Sequence, residues 1–406
     1  MKAKMLILLA AACLVCASAN AVTSSTQQPQ DQQFNRYTVE LRAGANTQRV
    51  VSILEANRVK VVRVINTAEG DVLGVAIDQD NPPDIENLRG LLPEVRGYGV
   101  DIRRQLMVLD DPIPDLPVGN ETIPWGITAV GARDVTYAGG RKVCVIDTGY
   151  MLAHEDLPQT ATGTDRGAGP WSEDGNSHGT HVAGTIGALG GNDRGVVGVI
   201  PDGAEFFIVR AFDGDARFVY STDLMGAMQD CATAGANVIT MSLGGRDSSM
   251  LEQRVISKLY RQGILIVAAA GNGGVTPFIY PASYRSVLAV ASVNRTLARS
   301  TFSQRNLEID LAAPGENVLS TVPNEDGSVG YGEKGGTSMA APHVAGVAAL
   351  VWSNHKQCSN TEIAEALMKS ALDLDHAGYD PDTGWGLVQA PAAMEYLAKN
   401  PCTGRR

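Results

Sequence analysis

The pattern of apolar and polar positions divides the chain into two parts. From residue 36, Tyr37-Thr38-Val39-Glu40-Leu41 alternates as a strand with one buried face does. Residues 47–57 repeat at helical spacing, residues 59–65 and 72–77 are β-branched strands, residues 85–92 read as a second helix, and residues 100–108 as the strand that closes a small sheet. The order β-α-β-β-α-β predicts a small α+β, ferredoxin-like domain. After Trp125 the pattern changes: residues 142–146, 204–212, 237–242, 264–270 and 286–293 are nearly continuous apolar strands, and residues 223–234 and 250–262 between them read as helices. That alternation predicts a parallel sheet covered on both faces, a three-layer α/β domain. Ligands of such sheets bind beyond the carboxyl ends of the strands. The polar motifs fall there: Asp147, Ser242-Leu243-Gly244-Gly245 and Gly271-Asn272.

Composition narrows this picture. The 406 residues are 44% apolar and 19% charged, as in a globular chain, and 44 glycines with 5% aromatics point to tight turns and close packing. A net charge of −11 argues against nucleic acid or an anionic membrane as partner. Lys2 and Lys4, an apolar run over 5–17 and Ala19-Asn20-Ala21 form a signal peptide over residues 1–21, which predicts a secreted, extracellular protein. No other stretch is long enough to span a membrane, so none is expected to hold the chain after signal removal. Residues 22–35 are a Gln-, Ser- and Thr-rich linker, residues 36–109 the small domain, residues 110–120 an acid- and proline-rich connector open to proteases, and residues 121–406 the α/β domain. Export preserves disulfides. Once the signal leaves, Cys144, Cys231, Cys358 and Cys402 remain, with three pairings open. Cys358 and Cys402 bracket the C-terminal region and are expected to clasp it. Cys144 then pairs with Cys231 or stays a buried free thiol. No Cys/His cluster reads as a metal site.

The candidate chemistry lies in four places. Ser338 precedes an apolar run of small residues, 340–351, expected to be a buried helix. Alone it would be an ordinary N-cap. At a helix N-terminus, though, free N–H groups suit a developing negative charge. Asp147 ends the apolar strand 142–146 and could orient a histidine. In Asn176-Ser177-His178-Gly179-Thr180-His181, His178 opens a helix and is expected to face outward as the base, whereas His181, one turn on, reads as an interior histidine. Asn272 follows an apolar strand; its amide is a candidate oxyanion donor beside the N–H of Ser338. The ledge Ser242, Leu243, Gly244, Gly245 offers backbone to which an extended peptide could add as a strand.

The order Asp, His, Asn, Ser, with the segments Val145-Ile146-Asp147-Thr148-Gly149, His178-Gly179-Thr180-His181-Val182-Ala183-Gly184 and Gly336-Thr337-Ser338-Met339-Ala340-Ala341-Pro342, resembles the subtilisin-like serine proteases, or subtilases. The resemblance runs from about Thr122 to about Leu397. It implies a serine endopeptidase acting on protein or peptide substrates as a monomer. Asp147 would be the orienting acid, His178 the general base, Ser338 the nucleophile and Asn272 the oxyanion donor. Residues 36–109 would be an inhibitory, folding-assisting propeptide, the chain's own intramolecular inhibitor, released by cleavage between about Leu109 and Asn120. The strand Arg217-Phe218-Val219-Tyr220 would face the ledge, with substrate as the middle strand. Ala269, Ala270 and Gly271, with Ile279 near the floor, would line a short specificity pocket favouring medium apolar residues. A structural Ca2+ ion is implied at Asp156 and Asn192. A non-catalytic binder on the same fold, or a pair whose propeptide never leaves, is the rival. A nucleophile-elbow esterase is excluded, because Ser338 is not in Gly-x-Ser-x-Gly and the acid precedes the histidine.

Overall fold

A computed structural model describes residues 34–109 and 120–404, apart from Ala68, Arg217 and Glu325. The expected signal peptide, the linker up to residue 33 and the connector at 110–119 lie outside them.

In the N-terminal domain the strands β1 (Phe34–Leu41), β2 (Val59–Ile65), β3 (Val72–Asp78) and β4 (Val95–Val100) form an antiparallel sheet in the order β2-β3-β1-β4. Helices α1 (Thr47–Ala56) and α2 (Ile85–Leu91) are capped by Asn46 and Asp84, whose side chains accept from Arg49 N and Asn87 N. Val50, Leu54 and Leu88 pack with Leu41, Val59, Leu73 and Val75 as the core. The first strand starts two residues before the expected linker boundary. The larger correction concerns 100–108: Val95–Val100 closes the sheet instead. Beyond Val100, Asp101 turns away to cap a helix of the other domain. The segment after it, β5 (Arg103–Leu106), leaves the small sheet altogether.

The second domain is built on a seven-stranded parallel sheet. Its strands are β6 (Val143–Asp147), β7 (Thr162–Asp165), β8 (Phe206–Arg210), β10 (Val238–Met241), β12 (Leu265–Ala269), β13 (Leu288–Val293) and β14 (Leu311–Pro314), in the order β14-β13-β12-β10-β6-β8-β7. Every residue of β6, β10, β12, β13 and β14 is buried, as helices on both faces require. One face carries α4 (His178–Gly187) and α7 (Thr337–Asn354), the latter buried along its length except for its last residue. The other carries α5 (Ser221–Thr233) and α6 (Met250–Arg261). Short strands β9 (Val219–Tyr220) and β11 (Leu243–Gly244), the hairpin of β15 (Val318–Pro323) and β16 (Val329–Lys334), and helices α3 (Trp125–Ala129), α8 (Asn360–Lys369) and α9 (Ala390–Lys399) complete the fold.

Both cysteine pairs are bonded. Cys144 in β6 joins Cys231 in α5, so the free-thiol alternative does not hold, and Cys358 joins Cys402. No helix among the described residues is long and apolar enough to cross a membrane.

The two domains meet at the start of α5. Asp101 Oδ1 accepts from Thr222 N at 3.0 Å and from Ser221 Oγ at 3.1 Å, supplying the cap that α5 lacks from its own chain neighbours. Burial pushes the Asp101 carboxyl up, and Arg36, 2.9 Å away, opposes that shift. Arg36 and Arg63 also hold Asp223. A Cβ on Gly74 would lie 2.7 Å from Thr222 Oγ1, so glycine there admits the helix onto the sheet.

Candidate active site

Asp147 ends β6 and His178 begins α4. His178 Nδ1 donates to Asp147 Oδ1 at 2.7 Å, and Thr148 N donates to the same oxygen at 2.8 Å. A carboxylate only accepts, which fixes the proton on Nδ1 and leaves Nε2 as an acceptor. Nε2 is buried without a partner. His181 Nδ1, His343 Nε2 and His355 Nε2 are also without a partner, so it is the bond to Asp147 that sets His178 apart.

Their separation is set by Asp174. Its Oδ1 accepts from Thr148 Oγ1, Asn176 N and Ser177 N, and its Oδ2 from Thr180 N and Oγ1. Thr148 Oγ1 accepts in turn from Gly179 N at 2.8 Å. The strand end and the helix start are therefore tied together around the Asp147–His178 bond. His178 was expected to face outward; it is 1% exposed, in a chain whose adjoining cleft is already filled.

Ser338 is the second residue of α7. Its Oγ donates to Ser242 O at 3.0 Å, while Ser242 Oγ donates to Ser338 O at 2.8 Å. Of the expected row of three side chains, the acid–histidine link is made, and the hydroxyl is turned to the ledge. A serine hydroxyl changes direction by a single χ1 step between staggered wells. His181 is an interior histidine: its Nε2 meets Val318 O at 2.8 Å and Gly332 O at 3.2 Å, and burial holds its pKa well below the usual range.

The place expected for an extended substrate is taken by the chain itself. β5 is the middle strand between β9 and β11, antiparallel to both: Arg103 pairs with Tyr220, Gln105 with Gly244 and Leu106 with Leu243. Met107 N donates to Ser242 O at 3.0 Å, and Leu109 N to Gly335 O at 2.9 Å. Between them, Met107 O accepts from Asn272 Nδ2 at 2.6 Å and from Ser338 N at 3.1 Å. Gly336, at φ +138°, passes so close that a Cβ would lie 2.6 Å from Met107 O.

The Met107 side chain packs in the core cluster with Ala269, Ala270 and Ile279. A Cβ on Gly244 would lie 3.0 Å from Met107 Cε and 2.6 Å from Ile279 Cγ2, and one on Gly271 would lie 2.8 Å from Ile279 Cγ1. Ile279 thus fills the space between the two glycines. Gly245 exchanges backbone bonds with Tyr280 behind the ledge.

Away from the cleft, Asp156 Oδ1 accepts from Asn192 Nδ2 at 2.6 Å and Oδ2 from Val196 N at 2.9 Å. Burial pushes the Asp156 carboxyl up to about 6, with Glu121 and Glu155 adding to the shift. Glu121 Oε1 accepts from Gly191 N and Asn192 N.

Several residues here escaped the sequence reading. Thr337 was passed over although it adjoins Ser338; its N and Oγ1 both donate to Asn272 Oδ1, at 2.9 and 2.8 Å, aiming the amide nitrogen at Met107 O. Met107 carried a signal, an apolar run just before the acidic connector. Asp174 and Glu121 lie in polar loops with nothing in the local sequence to mark them.

The subtilase family model matches residues 138–386. Subtilisin BL of Lederbergia lenta is 39% identical over 277 residues, covering 67% of this chain and 99% of that protein. Subtilisin E of Bacillus subtilis (strain 168) is 38% identical over 285 residues, covering 68% of this chain and 72% of that protein. The crystal structure of the psychrophilic subtilisin-like protease Apa1 from Pseudoalteromonas sp. AS-11 superposes with a TM-score of 0.64 and 31% identity, covering 70% of this chain and all of that one. With a family match spanning most of the α/β domain and a relative 39% identical over 99% of its length, this chain belongs to the subtilase family and is a serine endopeptidase.

Proposed function

We propose that the chain is a secreted zymogen. Asp147, His178, Ser338 and Asn272 are its catalytic residues, the N-terminal domain is its own inhibitor, and Met107–Val108 is the bond it cuts in itself. One observation carries the reading: the carbonyl oxygen of Met107 accepts from a side-chain amide and a helix N-terminal N–H at once. Two such donors on one oxygen are what a tetrahedral oxyanion needs. This moves the expected maturation bond upstream, from the connector into the cleft. The interdomain ion pairs of Arg36 and Arg63 with Asp223 and of Glu40 with Arg254 favour a domain that stays bound after the cut. Two disulfides support export, since they persist in oxidising compartments.

In the reaction, the Ser338 hydroxyl turns from Ser242 O toward His178 Nε2. Its oxygen attacks the carbonyl carbon while the proton passes to Nε2. Asp147 holds the imidazole by Nδ1 and stabilises the imidazolium. The negative oxygen is held by Asn272 Nδ2 and Ser338 N. The C–N bond then breaks as His178 returns the proton to the leaving amine. Water, deprotonated by His178, releases the acyl group from Ser338. Extended substrates lie between β9 and β11, with a medium apolar side chain such as methionine against Ile279.

Glu121 and Asp156 fit calcium by their chemistry, two carboxylates on adjacent loops with Asp156 buried near Glu121 and Glu155; Asn192, whose amide nitrogen donates to Asp156 Oδ1 and whose oxygen accepts from Arg194 N, would have to turn its amide over to join them. Bound there, the ion would cross-link the loops and take no part in hydrolysis. A fluorophosphonate probe tests the catalytic reading. It should label Ser338 in the mature protein and fail on Ser338→Ala; labelling of the variant at an equal rate would remove Ser338 from the role.

A further inference from the structure

Ser249 and Glu252 have the spacing of a capping box at the start of α6. Only half of it forms. Ser249 Oγ accepts from Glu252 N at 3.3 Å, but Ser249 N donates to Tyr284 Oη at 2.8 Å. At α8 the same spacing makes both bonds, with Ser359 N donating to Glu362 Oε2 at 2.8 Å. Tyr284 therefore frees the Glu252 carboxylate from the cap, and it sits fully buried against the cleft strand. Tyr284 Oη donates to its Oε2 at 2.9 Å. The other partner is Arg104, the third residue before Met107. Arg104 Nε donates to Oε1 at 3.2 Å and Nη2 to Oε2 at 2.5 Å, and both side chains are 0% exposed. A Cβ on Gly245 would come within 3.1 Å of Arg104 Nη1, so glycine there leaves the guanidinium its room.

We propose that Glu252 selects arginine at the fourth residue on the N-terminal side of the cleaved bond, so that preferred substrates are protein segments reading Arg-x-x-(medium apolar) before the cut. This rests on the reading of Met107–Val108 as the bond held for cleavage.

The selection works in both directions. When the N-terminal strand leaves, the Glu252 carboxylate faces open cleft and water. An apolar occupant would strip that water and give nothing back, leaving a buried charge without a partner. A lysine brings one point charge and cannot span both oxygens as the planar guanidinium does. The interdomain ion pairs of Arg36, Arg63 and Arg254 are all partly exposed; among the described residues only the Arg104–Glu252 pair between the domains is wholly enclosed, and it belongs to the strand in the substrate's place.

The test uses mature enzyme, its active sites counted with the fluorophosphonate, and peptides alike except for Arg, Lys, Gln or Leu at the fourth position. Loss of one partner from a buried, hydrogen-bonded charge pair sets the expected scale, a kcat/KM for Arg about 100-fold above Leu. Lysine should fall between them, and Glu252→Gln should shrink the Arg-to-Leu ratio to about fivefold or less. Labelled wild-type enzyme that cuts the Leu peptide within about threefold of the Arg peptide overturns this proposal alone, without recourse to the variant. A folded, labelled Glu252→Gln that keeps the full ratio overturns it too. Enzyme that takes no label overturns the catalytic reading and this proposal with it.

Discussion

Thr337 Oγ1 donates to Asn272 Oδ1 at 2.8 Å while accepting from Gly271 N at 3.0 Å, so one hydroxyl fixes which end of the Asn272 amide faces the cleft. Thr337→Val keeps the shape and removes that bond, leaving the Thr337 N–H as the only tie. Deleting an oxyanion donor outright costs about 100- to 1000-fold in kcat, a range established on a subtilisin. Loosening its aim should cost less, about tenfold in kcat with KM nearly unchanged. Steady-state kinetics on one peptide decide the matter, and a pure KM effect would contradict the positioning role.

Ile279 reaches toward both Gly244 and Gly271 and limits the space beside Met107. Wild-type enzyme should prefer Met or Leu before the cut over Phe or Tyr. Ile279→Gly should raise kcat/KM for Phe peptides by about tenfold or more, a size consistent with opening room for several carbons. A peptide series on the two enzymes checks this; a wild-type optimum at Tyr would be inconsistent with the pocket.

The loop acids make a prediction about metal removal. At 100 times its dissociation constant, an ion bound only to the folded state adds about 2.7 kcal/mol. Chelation should therefore shorten the half-life of the mature enzyme at high temperature, and added calcium should restore it. Asp156→Asn should abolish the response. A variant that responds to calcium as the wild type does would place the ion elsewhere.

Asp310 gives a pH dependence. Burial pushes its carboxyl up to about 7, against the bond it accepts from Ala289 N. The folded chain thus holds a proton that the unfolded chain has released, so stability should fall as pH rises from about 4 to about 7. Asp310→Asn keeps an acceptor for Ala289 N and cannot ionise. In a Ser338→Ala background, which on the proposed mechanism removes self-digestion, it should raise stability at pH 7.5 by about 1–2 kcal/mol and change little at pH 4.5. Unfolding at the two pH values reads this directly; an equal effect at both would assign it to packing.

The sequence made the parallel sheet legible because its strands are buried on both faces and leave continuous apolar runs. Asp147, His178, Asn272 and Ser338 were singled out by the motifs around them and their order along the chain; the structure joins Asp147 to His178 and puts Asn272 and the N–H of Ser338 on one carbonyl oxygen. Two strands of the parallel sheet stayed hidden: β7, because Thr162-Gly163-Thr164-Asp165 is a polar edge, and β14, because Leu311-Ala312-Ala313-Pro314 is a short run ending in proline. Residues 100–108 were assigned to the wrong sheet, since an extended segment looks the same whichever edge it joins; only Asp101 capping α5 settles where the chain turns. The Arg104–Glu252 pair was invisible for a related reason. The two residues are 148 positions apart, and Glu252 reads locally as half of a cap.

The most direct measurement follows the chain through its own maturation. Purified wild type and Ser338→Ala, refolded from the full chain after the leader, are sampled over time by mass spectrometry and N-terminal sequencing. The expected result is a first cut in the wild type that leaves Val108 as the new N-terminus, with Ser338→Ala intact over the same period. Processing of Ser338→Ala at that bond, or a first wild-type cut within residues 110–120, would contradict the central claim.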